Sequence, residues 1–263
     1  MTTPVAHFDH ARLAFGSRVL WDDLDLDIRP GEFVAILGPN GSGKTSFLRV
    51  LLGQYNLSGG TLSVTDKVGY IPQQHADDAD PMALRGRDLV GFGVDGGNWG
   101  LGIRGRRARR RLVDDALTQV GALEYAEAPV GVLSGGEQQR LRVAQALTTD
   151  PDLLLCDEPL ASLDLANQER VVELIDARRR NAGTAVVFVT HEINPVLPYV
   201  DRVLYLVGGQ FRIGTPDEVM NSDTLSELYG SDVDVVRVKG RLIVIGGEDG
   251  DHHHCVDAED TPR

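Results

Sequence analysis

The tightest constraint on this chain lies between residues 33 and 52. Five apolar residues, Phe33 to Leu37, run directly into GPNGSGKT at 38–45, and a helical segment follows over about 43–52. An all-apolar strand of this length must be covered on both faces, as in the parallel sheet of an α/β protein. The pattern G-x-x-x-x-G-K-[ST] placed between strand and helix is a phosphate-binding loop. Gly38, Gly41 and Gly43 let backbone N–H groups turn inward around β- and γ-phosphate oxygens, and the helix N-terminus adds its positive end. Lys44 is expected on the β/γ-phosphates and Thr45 on Mg²⁺, with Pro39, Asn40, Ser42 and Ser46 completing the cradle. This spacing implies binding of a nucleoside triphosphate.

The remaining pattern fits a fold built around that loop. Residues 5–15 and 24–28 alternate like half-buried antiparallel strands, with turn signals at Gly16 and at Pro30–Gly31. Further strands are expected at 68–71, 153–157, 185–189 and 203–207, and helices at 107–120, 135–147 and 166–181. Residues 233–238 and 241–245, joined by Lys239–Gly240, read as a hairpin. Between residues 86 and 105 eight positions are glycine, which predicts a mobile loop or a loosely packed insertion. It leads into six arginines at 104, 106, 107, 109, 110 and 111. A solvated helix start and a docking patch both remain open for them, since arginines at a helix start oppose the macrodipole.

Charge and cysteine content exclude several classes. The 263 residues carry 26 bases against 39 acids, which disfavours a general nucleic-acid or anionic-membrane binder. Six acids against one base fall between Glu248 and Arg263, so that stretch holds five of the thirteen net negative charges. Two cysteines cannot make a disulfide framework, and a reducing compartment is the default. Residues 1–10 contain no leader-like pattern, and the longest apolar runs are strand length.

Two further segments carry chemistry. LLLCDE at 153–158 is an apolar strand ending in two carboxylates. Asp157 is placed to hold Mg²⁺ and Glu158 to polarise an attacking water. LSGGEQQR at 133–140 contains Ser134 and, three residues on, Glu137, a helix capping box. Two glycines inside it are poor helix choices unless something approaches the backbone closely. The Ser134 hydroxyl with the Gly135 and Gly136 N–H groups forms a second anion site.

With these motifs in order, the chain resembles the nucleotide-binding subunits of ABC transporters over about residues 5–230. The resemblance implies an α/β P-loop NTPase of the ABC type. Its mostly parallel core sheet would carry an N-terminal antiparallel β-subdomain and an α-helical signature subdomain at about 75–150. Residues 231–247 form a hairpin extension and 248–263 an acidic tail, expected to be disordered. It further implies ATP and Mg²⁺ as ligands and a head-to-tail homodimer in which each ATP lies between Lys44 of one copy and Ser134–Glu137 of the other. Separate transmembrane permease subunits, an extracytoplasmic substrate-binding protein and a place at the cytoplasmic membrane face are implied too, and no nucleic acid.

Other positions match the family singly. Phe15 falls where a ring, usually tyrosine, stacks on adenine. Gln73 resembles the glutamine that reaches Mg²⁺ and water, although Gln74 stands beside it. Asp164, in SLD at 162–164, resembles the loop that communicates between paired sites. His191 resembles the γ-phosphate histidine that holds the water geometry with Glu158. Glu137 departs from the commoner glutamine and keeps the capping role.

Substrate choice rests on less. The lead-in APVGVLSGG at 128–136, GTPDEVM at 214–220 and LSELYG at 225–230 are similar to manganese/zinc importers, and iron-chelate importers share part of them. In the tail, His252, His253, His254 and Cys255 offer ligands suited to a divalent transition metal, against the reading of a polar tail with no ligand. An exporter and a soluble regulatory ATPase are the rival readings. Repair-type ATPases carry long coiled-coil arms, whereas only 90 residues separate Lys44 from Ser134. Translation-type ATPases carry two such domains in one chain.

Overall fold

The computed structural model describes residues 3–73, 84–95 and 106–246. Strands β1 (Ala6–Phe15), β2 (Arg18–Ile28) and β4 (Gly59–Val64) form an antiparallel sheet in the order β2-β1-β4. The second sheet contains β3 (Phe33–Leu37), β5 (Val68–Ile71), β6 (Leu153–Asp157), β7 (Ala185–Val189), β8 (Arg202–Val207) and β9 (Gln210–Gly214). Its order is β5-β6-β7-β3-β8-β9, with every pairing parallel except β8 with β9. The expected fold class is what the chain adopts.

β3 lies between two hydrophobic layers, as its uninterrupted apolar sequence requires. Val34 and Ile36 pack with Phe8, Trp21 and Phe47, which come from the antiparallel sheet and from α1 (Lys44–Leu51). Phe33, Ala35 and Leu37 face a second layer built from α4 (Gly135–Leu147), α5 (Leu165–Ala182) and neighbouring elements. Because β3 is wedged in this way, the loop that follows it leaves from a fixed point.

Several expectations need revision. β2 starts at Arg18, well before residue 24, and β4 and β9 were not anticipated. β4 opens on Gly59–Gly60, which reads as a turn; Gly60 at φ 72° bulges against the His10 backbone and then pairs with β1. The largest correction concerns the glycine-rich stretch: its first half is a helix, α2 (Gly86–Asp95). Glycine costs a helix about 1 kcal/mol per residue relative to alanine. Here the small side chain is needed. A Cβ on Gly86 would come 2.9 Å from Leu141, and one on Gly93 would come 2.2 Å from the Gln145 carbonyl. Close approach to α4 offsets the propensity cost. Residues 96–105 lie outside the described residues.

α3 (Arg106–Gln119) carries Arg107, Arg110 and Arg111 on its solvent side. Arg87 of α2 pairs with Asp114 of α3 and with Glu127, tying these elements together. After β9 come α6 (Pro216–Val219), α7 (Ser222–Tyr229) and the hairpin β10 (Val233–Val238) and β11 (Arg241–Gly246). Among the described residues, no helix is long and apolar enough to cross a membrane.

Candidate active site

The carboxyl ends of β3, β6 and β7 place the site, because the loops after these neighbouring strands open on one edge of the sheet. After β3 the chain turns through Gly38 (φ 138°), Gly41 (φ 77°) and Gly43 (φ 106°), conformations that L side chains rarely adopt. At Gly38 the space is as strict as the angle, since a Cβ would sit 2.0 Å from the Leu206 carbonyl oxygen. Lys44 then begins α1 with its side chain buried. Its Nζ donates to the Gly38 carbonyl at 2.7 Å and the Pro39 carbonyl at 2.9 Å. Burial pushes this ammonium below the usual lysine range, and the carboxylates of Glu158 and Asp157 oppose that fall.

Asp157 ends β6 almost fully buried. Thr45 Oγ1 lies 3.5 Å from Asp157 Oδ1, and Tyr70 of β5 donates to Asp157 Oδ2 at 3.4 Å. Burial, and secondarily the neighbouring Glu158, raise the Asp157 carboxyl above the usual aspartate range, against the hydrogen bonds from Tyr70 and Thr45. The Tyr70 hydroxyl is itself pushed up to about 12, chiefly by burial. Glu158 follows at φ 46°, a strained setting for a non-glycine residue that costs about 1 kcal/mol or more. That turn directs its carboxylate into the cleft. Gln73 Nε2 donates to Glu158 Oε2 at 3.2 Å, and His191 Nδ1 lies 3.5 Å from the same oxygen.

A cleft of ≈ 940 Å³ is lined by Phe15, Asn40, Gly41, Gly43, Lys44, Thr45, Ser46, Gln73, Glu158 and His191. Ten of the candidate residues, drawn from five separate segments, therefore meet on one surface. Phe15 is half exposed at the mouth and edge-on to Tyr55, 5.3 Å between ring centroids, which leaves a face free for a planar ligand. The oxygens of Thr45, Asp157 and Gln73 are the hard donors that Mg²⁺ takes. Ser42 Oγ is buried beneath the loop and has no hydrogen-bond partner among the described residues, a polar atom that this loop leaves unsatisfied. The donor set fits a magnesium nucleotide.

Two residues with no sequence expectation also belong here. Arg18 lines the cleft and donates to the Gly41 carbonyl, and Tyr70 holds Asp157. Arg18 sits just after a turn signal where nothing in its neighbours suggests a ligand. Tyr70 directly precedes the Ile-Pro-Gln segment that holds Gln73, which was a usable signal.

Ser134, Gly135, Gly136, Glu137 and Asp164 do not line this cleft. Ser134 caps α4 in a two-way capping box: its backbone N–H donates to Glu137 Oε2 at 2.8 Å, and its Oγ accepts from the Glu137 N–H at 3.4 Å. The Ser134 hydroxyl also donates to Glu137 Oε2 at 2.7 Å, and this bond, with the one from the backbone N–H, holds the Glu137 carboxyl below the usual glutamate range. The two glycines have a visible reason. A Cβ on Gly136 would strike the Asn167 side chain at 2.2 Å, and one on Gly135 would touch Leu163 at 3.6 Å. Asp164 caps α5, accepting from the Asn167 N–H and its side-chain amide, both at 2.8 Å. Gln74 and the tail residues His252, His253, His254 and Cys255 lie outside the described residues.

Known proteins resemble this chain over most of its length. The family model for the ABC transporter matches residues 21–161. The aliphatic sulfonates import ATP-binding protein of Pseudomonas fluorescens is 41% identical over 196 residues, covering 74% of this chain and 71% of that protein. The zinc import ATP-binding protein of Pseudomonas syringae pv. syringae is 31% identical over 264 residues, covering 99% of this chain and 90% of its own length. Among solved structures, an ABC transporter assigned to the metal-chelate type, in an inward-facing conformation, aligns with a TM-score of 0.80 at 25% identity. That alignment covers 92% of this chain and 96% of the other. A dimeric ATP-binding cassette in a post-hydrolysis state with ADP and Pi aligns with a TM-score of 0.67 at 26% identity, covering 80% and 98%.

Proposed function

This chain belongs to the ABC transporter family, and from that premise we propose that it is the ATP-hydrolysing subunit of a divalent-metal importer. It would work as a head-to-tail pair at the inner membrane face, bound to separate permease subunits and served by a substrate-binding protein. Residues 1–230 would form the ATP-binding domain and 231–247 an appended hairpin, with 248–263 as a tail.

One observation carries the pairing. Among the described residues, Lys44 is the cation lining the cleft beside Glu158 at the phosphate loop, while Ser134, Gly135 and Gly136 offer an anion-binding edge that does not line this cleft. Each ATP would be completed by a second copy. Lys44 would exchange its two carbonyl contacts for β- and γ-phosphate oxygens. Gln73 and His191 both engage Oε2 of Glu158, leaving Oε1 to accept a proton from the attacking water. Mg²⁺ held by Thr45, Asp157 and Gln73 would neutralise charge on the phosphate oxygens. Asp164 would report the state of one site to the other.

The pairing has a direct test. Lys44→Ala and Ser134→Ala chains should each be nearly inactive in ATP turnover. In a heterodimer of the two, one site keeps both of its intact halves. An equimolar mixture should regain about a quarter of wild-type turnover, since half of the dimers are mixed. A mixture as inactive as its components would reject the composite site.

For the substrate, support comes from the near full-length similarity to a zinc import protein and from the GTPDEVM segment. The sulfonate import relative is more identical over a shorter span, which keeps an organic-anion importer as the second reading. With the assembled complex in proteoliposomes, ATP-dependent uptake of zinc or manganese is expected. Uptake of an alkanesulfonate with no metal uptake would replace the first reading by the second.

A further inference from the structure

The C-terminal hairpin is apolar on both faces, and one of them is uncovered. In its register, Val233, Val235 and Arg237 share a face with Leu242 and Val244. That face packs on the body: Val233 and Leu242 are buried, and Arg237 pairs with Asp217 of α6 at 2.7 Å. Asn194, three residues after His191, holds Leu242 from both sides, accepting from its N–H at 2.8 Å and donating to its carbonyl at 2.9 Å. The hairpin is therefore firmly mounted, and what its other face presents is fixed.

That other face carries Asp234, Val236 and Val238 on β10, and Arg241, Ile243 and Ile245 on β11. A hairpin with one solvated face normally alternates apolar and polar residues. Here four of the six outward positions are β-branched and apolar, and they are 43% (Val236), 46% (Val238), 45% (Ile243) and 56% (Ile245) exposed. The two charges sit at opposite corners of the strip. Asp234 lies in the rung with Ile245 at the open end, and Arg241 lies in the rung with Val238 beside the turn. Neither has an ion-pair partner among the described residues.

This arrangement is self-complementary. A two-fold axis in the plane of contact, perpendicular to the diagonal from Asp234 to Arg241, exchanges the two residues. Each copy's Asp234 then meets the other's Arg241, and the two Val236–Ile243 rungs stack at the centre, each residue nearest its own counterpart. The strands of the two copies cross obliquely, as they do in ordinary stacked sheets. We propose that the outward face of the β10–β11 hairpin is an interface with a second copy of this chain, independent of nucleotide. The contact is too small to make a tight dimer alone. It acts by tethering: it raises the effective concentration of the second ATP-binding half while the nucleotide sites are open.

The test uses the full chain without nucleotide, in chelator and reductant so that the tail's histidines and cysteine add nothing. Sedimentation equilibrium should give a reversible monomer–dimer equilibrium for the wild type. Ile243→Glu, at an exposed position that leaves the body's core intact, should abolish it. Asp234→Arg or Arg241→Asp alone places like charges at both symmetric corners and should raise the dimer dissociation constant about tenfold. The double variant Asp234→Arg/Arg241→Asp restores complementarity and should return to within about threefold of wild type. A wild type that stays monomeric, or a double variant no better than the single ones, would overturn the proposal. So would substitutions that weaken only the binding of permease subunits, which would assign the face to them. Because no nucleotide is present, failure here is distinguishable from failure of the ATPase mechanism.

Discussion

Replacing Lys44 by alanine should slow ATP turnover by roughly a hundredfold or more and leave the chain folded. Lys44 is the one cation among the candidate phosphate contacts of the loop, and its Nζ is already desolvated and held by two carbonyls of the same turn. A fixed donor in a water-poor site is worth several kcal/mol toward charge that develops on phosphate oxygens. The fold depends on it much less. Burial depresses the lysine pKa, so the buried ammonium carries an electrostatic cost, and removing it trades that cost against two carbonyls left without a donor. These effects oppose each other, and the melting temperature without nucleotide should move by only a few degrees. ATP should distinguish the proteins sharply. At a hundredfold excess over its dissociation constant, the nucleotide stabilises wild type by about 2.7 kcal/mol. Calorimetry with and without ATP should find that gain missing in the variant. An equal ATP-dependent shift in both proteins would mean that Lys44 does not hold the phosphates.

Glu158→Gln should separate binding from chemistry. The substitution keeps size and shape at a residue whose backbone is already committed to φ 46°. The glutamine carbonyl can still accept from Gln73 Nε2, so the cleft keeps its form. What disappears is the group able to take a proton from water. Turnover should fall by roughly a hundredfold or more, within the range of a lost general base. ATP affinity should hold or improve, because a negative charge near the triphosphate has been removed. Arrest before hydrolysis also means that ATP-bound pairs persist, so ATP should shift the variant toward dimer more strongly than it shifts wild type. Equilibrium nucleotide binding, single-turnover hydrolysis and sedimentation with ATP together measure these effects. A variant that lost affinity and rate in equal proportion would mark Glu158 as a structural contact.

Lys44 and Glu158 are both marked in the sequence, for a physical reason. A loop that must wrap phosphate with backbone N–H groups needs glycine where φ is positive, and Gly38, Gly41 and Gly43 write that requirement into the chain. Likewise, β3, and β6 as far as Cys156, carry apolar residues at every position because both of their faces are covered. Such local demands are legible. α2 was not legible, because its glycines answer to Leu141 and Gln145 on a helix some fifty residues away, and local propensity argued for a loop. β4 and β9 were missed for a related reason: they are edge strands of their sheets, with half-exposed faces and little alternation. Arg18 illustrates the limit within the cleft. It reaches the Gly41 carbonyl only because β2 starts earlier than its pattern indicates.

The lack of room at Gly136 bears on timing. Asn167 fills the space a Cβ would need, and the same asparagine donates twice to Asp164 at the start of α5. The beginnings of α4 and α5 thus behave as a single strut, with no slack between them. Any shift of the chain after Glu158, six residues before Asp164, would be passed on to the start of α4, which under the proposed pairing would serve the neighbour's nucleotide. Two engines joined by rigid struts are geared to each other: a stroke at one would change the grip on fuel at the other, although a single live engine could still turn.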